Sequence, residues 1–362
     1  LVWEKSIPQT LTWKDEFTNT VTGGSGSGEI TYASSDETVA KVDHNGILDI
    51  LKPGDVTITA TKAGDAMYHE VAASYSITVK RAQYVTDLEF AKTNEDNIFT
   101  IAYEEEFVNT ASGGSGQSVQ YSSSNPEIAA VDSSGKVTTV NVGDVIITAT
   151  CPENNQYEKQ EISYRLVITA AEQSVEFAGG TTNIPAIIYG DEYQNKATAK
   201  TEISYTSSDP SIATVDAEGK IDTLKSGTVT ITATAEKTEK YEQASSSYTL
   251  TIHKADQNIT FEKIREDELE VTFNDNNNIF INIANSDKGV TECTYHMISG
   301  PATVKDGGSG EIEINGAGII VVGVDFVETD CYNSAKNTYT LYVKKDSQEI
   351  AFENASYTVT SG

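Results

Sequence analysis

Apolar and polar residues alternate with a period of two along much of the chain. Val56, Ile58 and Ala60 share one side of a segment whose other side is Thr57, Thr59 and Thr61, and Val229, Ile231 and Ala233 repeat the pattern. Such alternation predicts half-buried strands. No stretch carries a 10-residue helical stripe, and Glu262 to Glu270 reads as a charged loop or short strand. Asp43-His-Asn-Gly46, Asp132-Ser-Ser-Gly135 and Asp216-Ala-Glu-Gly219 read as tight turns, with Gly supplying positive φ. Short strands between closely spaced turns predict an all-β fold of antiparallel sandwiches.

The pattern is periodic on a larger scale. Tyr32-Ala-Ser-Ser-Asp36 returns as Tyr121-Ser-Ser-Ser-Asn125 and Tyr205-Thr-Ser-Ser-Asp209. Gly54-Asp-Val-Thr-Ile-Thr-Ala-Thr61 returns from Gly143 and from Gly227, and Tyr75, Tyr164, Tyr248 and Tyr339 each lead a closing strand. The aromatics ending the opening strands, Trp3, Phe90, Phe177, Phe261 and Phe352, are spaced 87, 87, 84 and 91 residues apart. Trp13, Tyr103, Tyr189 and Phe273 then occupy matching positions. The expected units are residues 1–80, 81–169, 170–253 and a degenerate 254–344, with 345–362 opening a fifth. Joints such as Val79-Lys-Arg-Ala-Gln83 lack Gly/Ser spacers, which predicts an elongated rod.

The spacing Tyr-x-Ser-Ser-Asp/Asn, then Ile/Val-Ala-x-Val-Asp, then Gly-x-Val-x-Ile-Thr-Ala-Thr resembles the group 2 bacterial immunoglobulin-like domain. The resemblance implies tandem Ig-like sandwiches, as in surface adhesins similar to invasins and intimins. It further implies an extracellular location, at a bacterial cell surface or secreted, and a non-catalytic stalk. Implied partners are a surface protein or glycan of a host or neighbouring cell, besides flanking domains of the same chain. The alternative it leaves open is a carbohydrate-binding accessory region of a secreted or surface glycan-processing protein, with Tyr68, Tyr157, Tyr241 and Tyr332 as candidate platforms; because the same Tyr recurs in every repeat, a structural role in the sandwich is the competing reading of these rings.

Charge narrows the partners. With 54 acidic and 25 basic side chains the chain carries a formal charge of −29. That argues against nucleic acid and anionic membrane, which recruit Lys and Arg, and no apolar run approaches the ~20 residues of a bilayer span. The sequence begins Leu1-Val2-Trp3 without a signal-like region, so any targeting segment is expected upstream or already removed.

Candidate chemistry is sparse. The four His, at 44, 69, 253 and 296, have no metal-ligand spacing, and no Gly-x-Ser-x-Gly presents a nucleophile, so no enzyme and no required cofactor are expected. Asp43, Asp132 and Asp216 read as turn residues rather than calcium ligands. Oxygen-rich loops at Asn94, Asp96 and Asn97 and at Asp275 and Asn276 are better calcium candidates, with a solvated loop as the competing reading. Gly23-Gly-Ser-Gly26 and Gly113-Gly-Ser-Gly116 precede strands and read as hairpin loops, not phosphate cradles. Cys293 holds an inward strand position and reads as a small core residue; a Cys293–Cys331 disulfide would close a loop of about 38 residues and contribute ~3–4 kcal/mol. In the fourth repeat, Ile319 and Val321 replace outward polar residues, which marks that face as the candidate partner surface. Gly323 beside them leaves room for close approach.

Overall fold

The computed structural model describes residues 1–84, 86–266, 269–273, 278–306 and 308–348. Among these there are strands and turns but no helix. In the first repeat the strands are β1 (Val2–Trp3), β2 (Thr10–Thr12), β3 (Phe17–Thr18), β4 (Val21–Thr22), β5 (Ile30–Ser34), β6 (Ala40–Val42), β7 (Ile47–Ile50), β8 (Gly54–Lys62) and β9 (Val71–Lys80). They form a four-stranded sheet β2-β9-β8-β5, a three-stranded sheet β3-β7-β6 and a short pair β1-β4.

The alternation places Val56, Ile58 and Ala60 inward at 2%, 0% and 0% exposure. Val56 and Ile58 meet Val39, Leu48 and Tyr75 in one core. On the opposite side of the same sheet Thr57 pairs with Ser76 and Thr59 with Ser74 through hydroxyls at 2.8 and 2.9 Å. These polar ladders satisfy themselves while leaving the face wet. The motif Gly-x-Val needs its glycine: Gly54 has φ +150°, and a Cβ there would lie 2.8 Å from Val39 Cγ2.

Antiparallel pairing is not universal. β2 runs parallel to β9, pairing Thr10 with Thr78 and Leu11 with Val79. The chain leaves β1, which pairs β4, and crosses to the edge of the larger sheet, so it arrives alongside the closing strand in the same direction. Period-2 alternation is blind to that direction.

The arrangement recurs three times, with four-stranded sheets centred on the pairs Gly143–Cys151 with Gln160–Thr169, Gly227–Ala235 with Ala244–His253, and Gly318–Phe326 with Ala335–Lys344. Each repeat has its own core cluster. The opening aromatics cap these cores edge-on: Trp3 on Tyr75, Phe90 on Tyr164, Phe177 on Tyr248 and Phe261 on Tyr339, with centroids 4.6–4.9 Å apart. The amides of Trp13, Tyr103, Tyr189 and Phe273 donate to the carbonyls of Lys80, Thr169, His253 and Lys344, which fixes the equivalence read from the spacing. Of the expected fifth opening strand, Gln348 to Phe352, only Gln348 lies among the described residues.

The chain divides into two compact units, one of Leu1–Glu172 with Lys237–Glu242, the other of Gln173–Glu236 with Gln243 onward.

Candidate functional site

Most of the repeated motif is structural. The Tyr32 hydroxyl accepts the Val21 amide at 3.2 Å, and Tyr121, Tyr205 and Tyr295 likewise accept the amides of Ala111, Ala197 and Ala284 at 2.6–2.7 Å. Ser35 Oγ accepts the Thr57 amide, and Asp36 Oδ1 accepts both the amide and hydroxyl of Thr38. The Thr38 hydroxyl, then its amide, hold the Asp36 carboxyl below its usual range. Asp43 closes its turn by accepting the amides of Asn45 and Ile47 at 2.8 and 2.9 Å. The Ile47 amide is the main reason its carboxyl is also held low. Asp132 and Asp216 make the same turn.

The calcium candidates among the described residues belong to one turn. Asn94 spends both ends of its amide on the backbone of Ile98, at 2.5 and 3.0 Å. Asn97 sits at φ +52° in that turn, and Asp96 is exposed. Asp275 and Asn276 lie outside the described residues. No cluster of three His, Cys, Asp or Glu suited to a metal occurs among the described residues.

The Cys293–Cys331 disulfide is not formed; all three cysteines are free thiols. Cys293 packs at the margin of the fourth core, where burial pushes its thiol pKa up. Cys331 instead faces the carbonyl of Leu224 in the third repeat at 3.5 Å. Loop length alone could not reveal that the two side chains serve different surroundings.

The outer face of the fourth repeat differs from its counterparts. Ile320, Val322 and Val324 are fully buried, while Ile319 is 60% exposed and stands directly across from Tyr342, itself 51% exposed. Val321 is half-buried, and Ile298 on the neighbouring strand is 53% exposed. Gly323, expected to leave open space, is covered: a Cβ there would lie 2.5 Å from His296 Nε2 and 3.1 Å from Ile298 Cδ1. Beside the patch is an open cleft of about 480 Å³ lined by Glu266, Glu270, Ile319, Tyr342 and Lys344. Lys344 and Glu270 form an ion pair at its wall. The face is thus an apolar stripe with a charged end, where the first repeat has Thr–Ser ladders.

The recurrent tyrosines belong elsewhere. Within the first unit the ring of Trp13 meets Tyr157 edge-on at 5.3 Å, and Lys14 Nζ lies 4.8 Å from the Trp13 centroid. Tyr103 meets Tyr241 at 5.6 Å. Within the second unit Tyr189 meets Tyr332 at 5.5 Å. Tyr157 is buried, whereas Tyr68 is 46% exposed.

Sequence reasoning missed four buried asparagines. Asn19, Asn109, Asn195 and Asn282 are 1–2% exposed and occupy matching positions. The amides of Asn19, Asn109 and Asn282 bond both ways to the backbone of Lys5, Lys92 and Lys263; Asn195 holds Gly179 and Gly180. A signal was present, since each Asn lies two residues after an aromatic: Phe17, Phe107, Tyr193 and Phe280.

Family comparison agrees with this architecture. Residues 6–68 and 190–245 match the bacterial Ig-like domain (group 2), and residues 102–152 match the intimin immunoglobulin-like domain. The matched stretches are bacterial Ig-like domains set in tandem. Ice-binding protein 1 of Shewanella frigidimarina is 29% identical over 63% of the chain and 26% of its own length. An uncharacterized protein of Clostridium acetobutylicum is 31% identical over 34% of the chain and 13% of its own. The chain therefore spans about a quarter or less of these relatives. A crystal structure of intimin from EHEC O157:H7 is 31% identical over 25% of the chain and 50% of that structure, with a TM-score of 0.17. Among the described residues no helix is long and apolar enough to cross a membrane.

Proposed function

We propose that this chain is a non-catalytic spacer of an extracellular bacterial surface protein of adhesin type, and that the outer face of its fourth repeat makes partner contact. The observation that carries the spacer reading is the aromatic joint, in which Trp13 packs on Tyr157 and Tyr189 on Tyr332. A joint that buries rings resists bending as a flexible linker does not. Negative charge and hydroxyl-rich faces keep such a chain solvated and self-repelling.

The partner reading rests on Ile319, Val321 and Tyr342, whose side chains replace a self-paired polar ladder with exposed or half-exposed apolar surface. A glycan-binding role through the recurrent tyrosines loses support, because three of those rings pack against aromatic rings of other repeats. Binding of the chain to an array of matrix proteins and glycans tests the assignment. Binding that is lost in an Ile319→Ser/Tyr342→Ser variant of unchanged circular dichroism supports it. Binding that survives in the variant places the contact elsewhere.

A further inference from the structure

Four loops hold a tyrosine in the same clasp. The amides of Tyr68, Tyr157, Tyr241 and Tyr332 donate to Asp65 Oδ1, Asn154 Oδ1, Thr238 Oγ1 and Thr329 Oγ1 at 2.8–3.1 Å. In return each tyrosine carbonyl accepts the amide of that clasp residue at 2.9–3.1 Å. In the last three, a linker alanine, Ala82, Ala171 or Ala255, bridges to the tyrosine in parallel fashion.

What these tyrosines receive is equally regular. Trp13, Tyr103 and Tyr189 each sit at the tip of a tight turn, followed by a left-handed residue: Lys14 (φ 77°), Glu104 (φ 66°) or Gly190 (φ 90°). A carboxylate two residues after the aromatic, on Asp15, Glu105 or Asp191, accepts the amide of the residue just before it at 2.7–3.0 Å. Tip and clasp are thus two preformed parts that meet at an aromatic pair.

Tyr68 has the clasp without the tip. Asp65 also accepts the Ser27 amide at 2.9 Å, so the loop is pinned to its own repeat. Tyr68 is 46% exposed and the adjoining Met67 82%, against 8% for Tyr157. Among the described residues no aromatic ring packs on it. We propose that the Asp65–Tyr68 loop is a docking socket for the aromatic tip of a further Ig-like repeat joined ahead of Leu1. The partner is defined by chemistry: an aromatic tip closed by a left-handed residue and a carboxylate, arriving with a linker that supplies the missing bridge.

The test duplicates residues 170–258 ahead of Leu1 in the full chain, which sets the added Asn258 before Leu1 as it precedes Ile259 in the native order. Nitration at Tyr68, mapped by mass spectrometry, is the readout. It should fall about sixfold in the extended chain, following the drop from 46% to 8% exposure between Tyr68 and Tyr157. Tyr189→Ala in the added copy alone should restore it. Unchanged nitration in the extended chain overturns the proposal. So does protection of Tyr68 in the unextended chain that grows with protein concentration, because the occupant is then a second copy.

Discussion

The side chain of Asn109 hydrogen-bonds both ways to the backbone of Lys92, accepting its amide at 2.8 Å and donating to its carbonyl at 3.0 Å. Its own amide donates to the carbonyl of Gly135. One buried residue therefore ties the segment after the opening strand to the turn of the opposite sheet. Asn109→Ala strands two backbone groups and should cost about 2–3 kcal/mol. Urea unfolding should show the loss in the second repeat. Gly135→Ala should be comparably damaging, since φ is +78° and a Cβ would lie 2.6 Å from the Asn109 carbonyl oxygen.

Two classes of tyrosine should respond oppositely to loss of the hydroxyl. Tyr164 buries its hydroxyl without a partner, whereas Tyr121 accepts the Ala111 amide at 2.6 Å. Tyr164→Phe should be neutral or stabilising by up to about 1 kcal/mol, and Tyr121→Phe destabilising by about 1–2 kcal/mol. Equal losses in thermal unfolding would refute the distinction.

Burial also sets an alkaline limit. Desolvation pushes the Tyr75 hydroxyl up to about 12 and raises Tyr164, Tyr248 and Tyr339 as well. The unfolded chain releases these protons near pH 10 while the folded chain keeps them, so stability is full below pH 10 and falls as pH climbs toward 12 and beyond. Stability measured by urea at successive pH values should decline across that window. Tyr75→Phe should make the decline shallower.

The pair Trp13 and Tyr157 should be energetically coupled although the residues belong to different repeats. A double-mutant cycle to Ala should give a coupling of about 0.5–1.5 kcal/mol. Additive losses would mean that the rings touch without stiffening the joint.

Much of this architecture was legible in the sequence because each repeat restates it. The matching of Trp13 with Tyr103, Tyr189 and Phe273, and the inward set Ile320, Val322 and Val324, both follow from spacing and alternation. The parallel course of β2 did not, because side-chain alternation carries no strand direction. The separation of Cys293 from Cys331 depends on a contact with Leu224 in another repeat. The tyrosines at 157, 241 and 332 read as sandwich residues because recurrence alone does not say whether a ring packs within its own repeat or on the next. Buried Asn109 was overlooked because polarity suggested solvent, although the aromatic two residues before it marked a strand.

Small-angle X-ray scattering of the full chain tests the spacer account most directly. At roughly 35–40 Å per sandwich, four units in line reach about 150 Å, which gives a radius of gyration near 40 Å. A compact body of this chain length has a radius of gyration of about 21 Å. The spacer account predicts the larger value, unchanged by calcium or chelator; a value near the smaller one contradicts it.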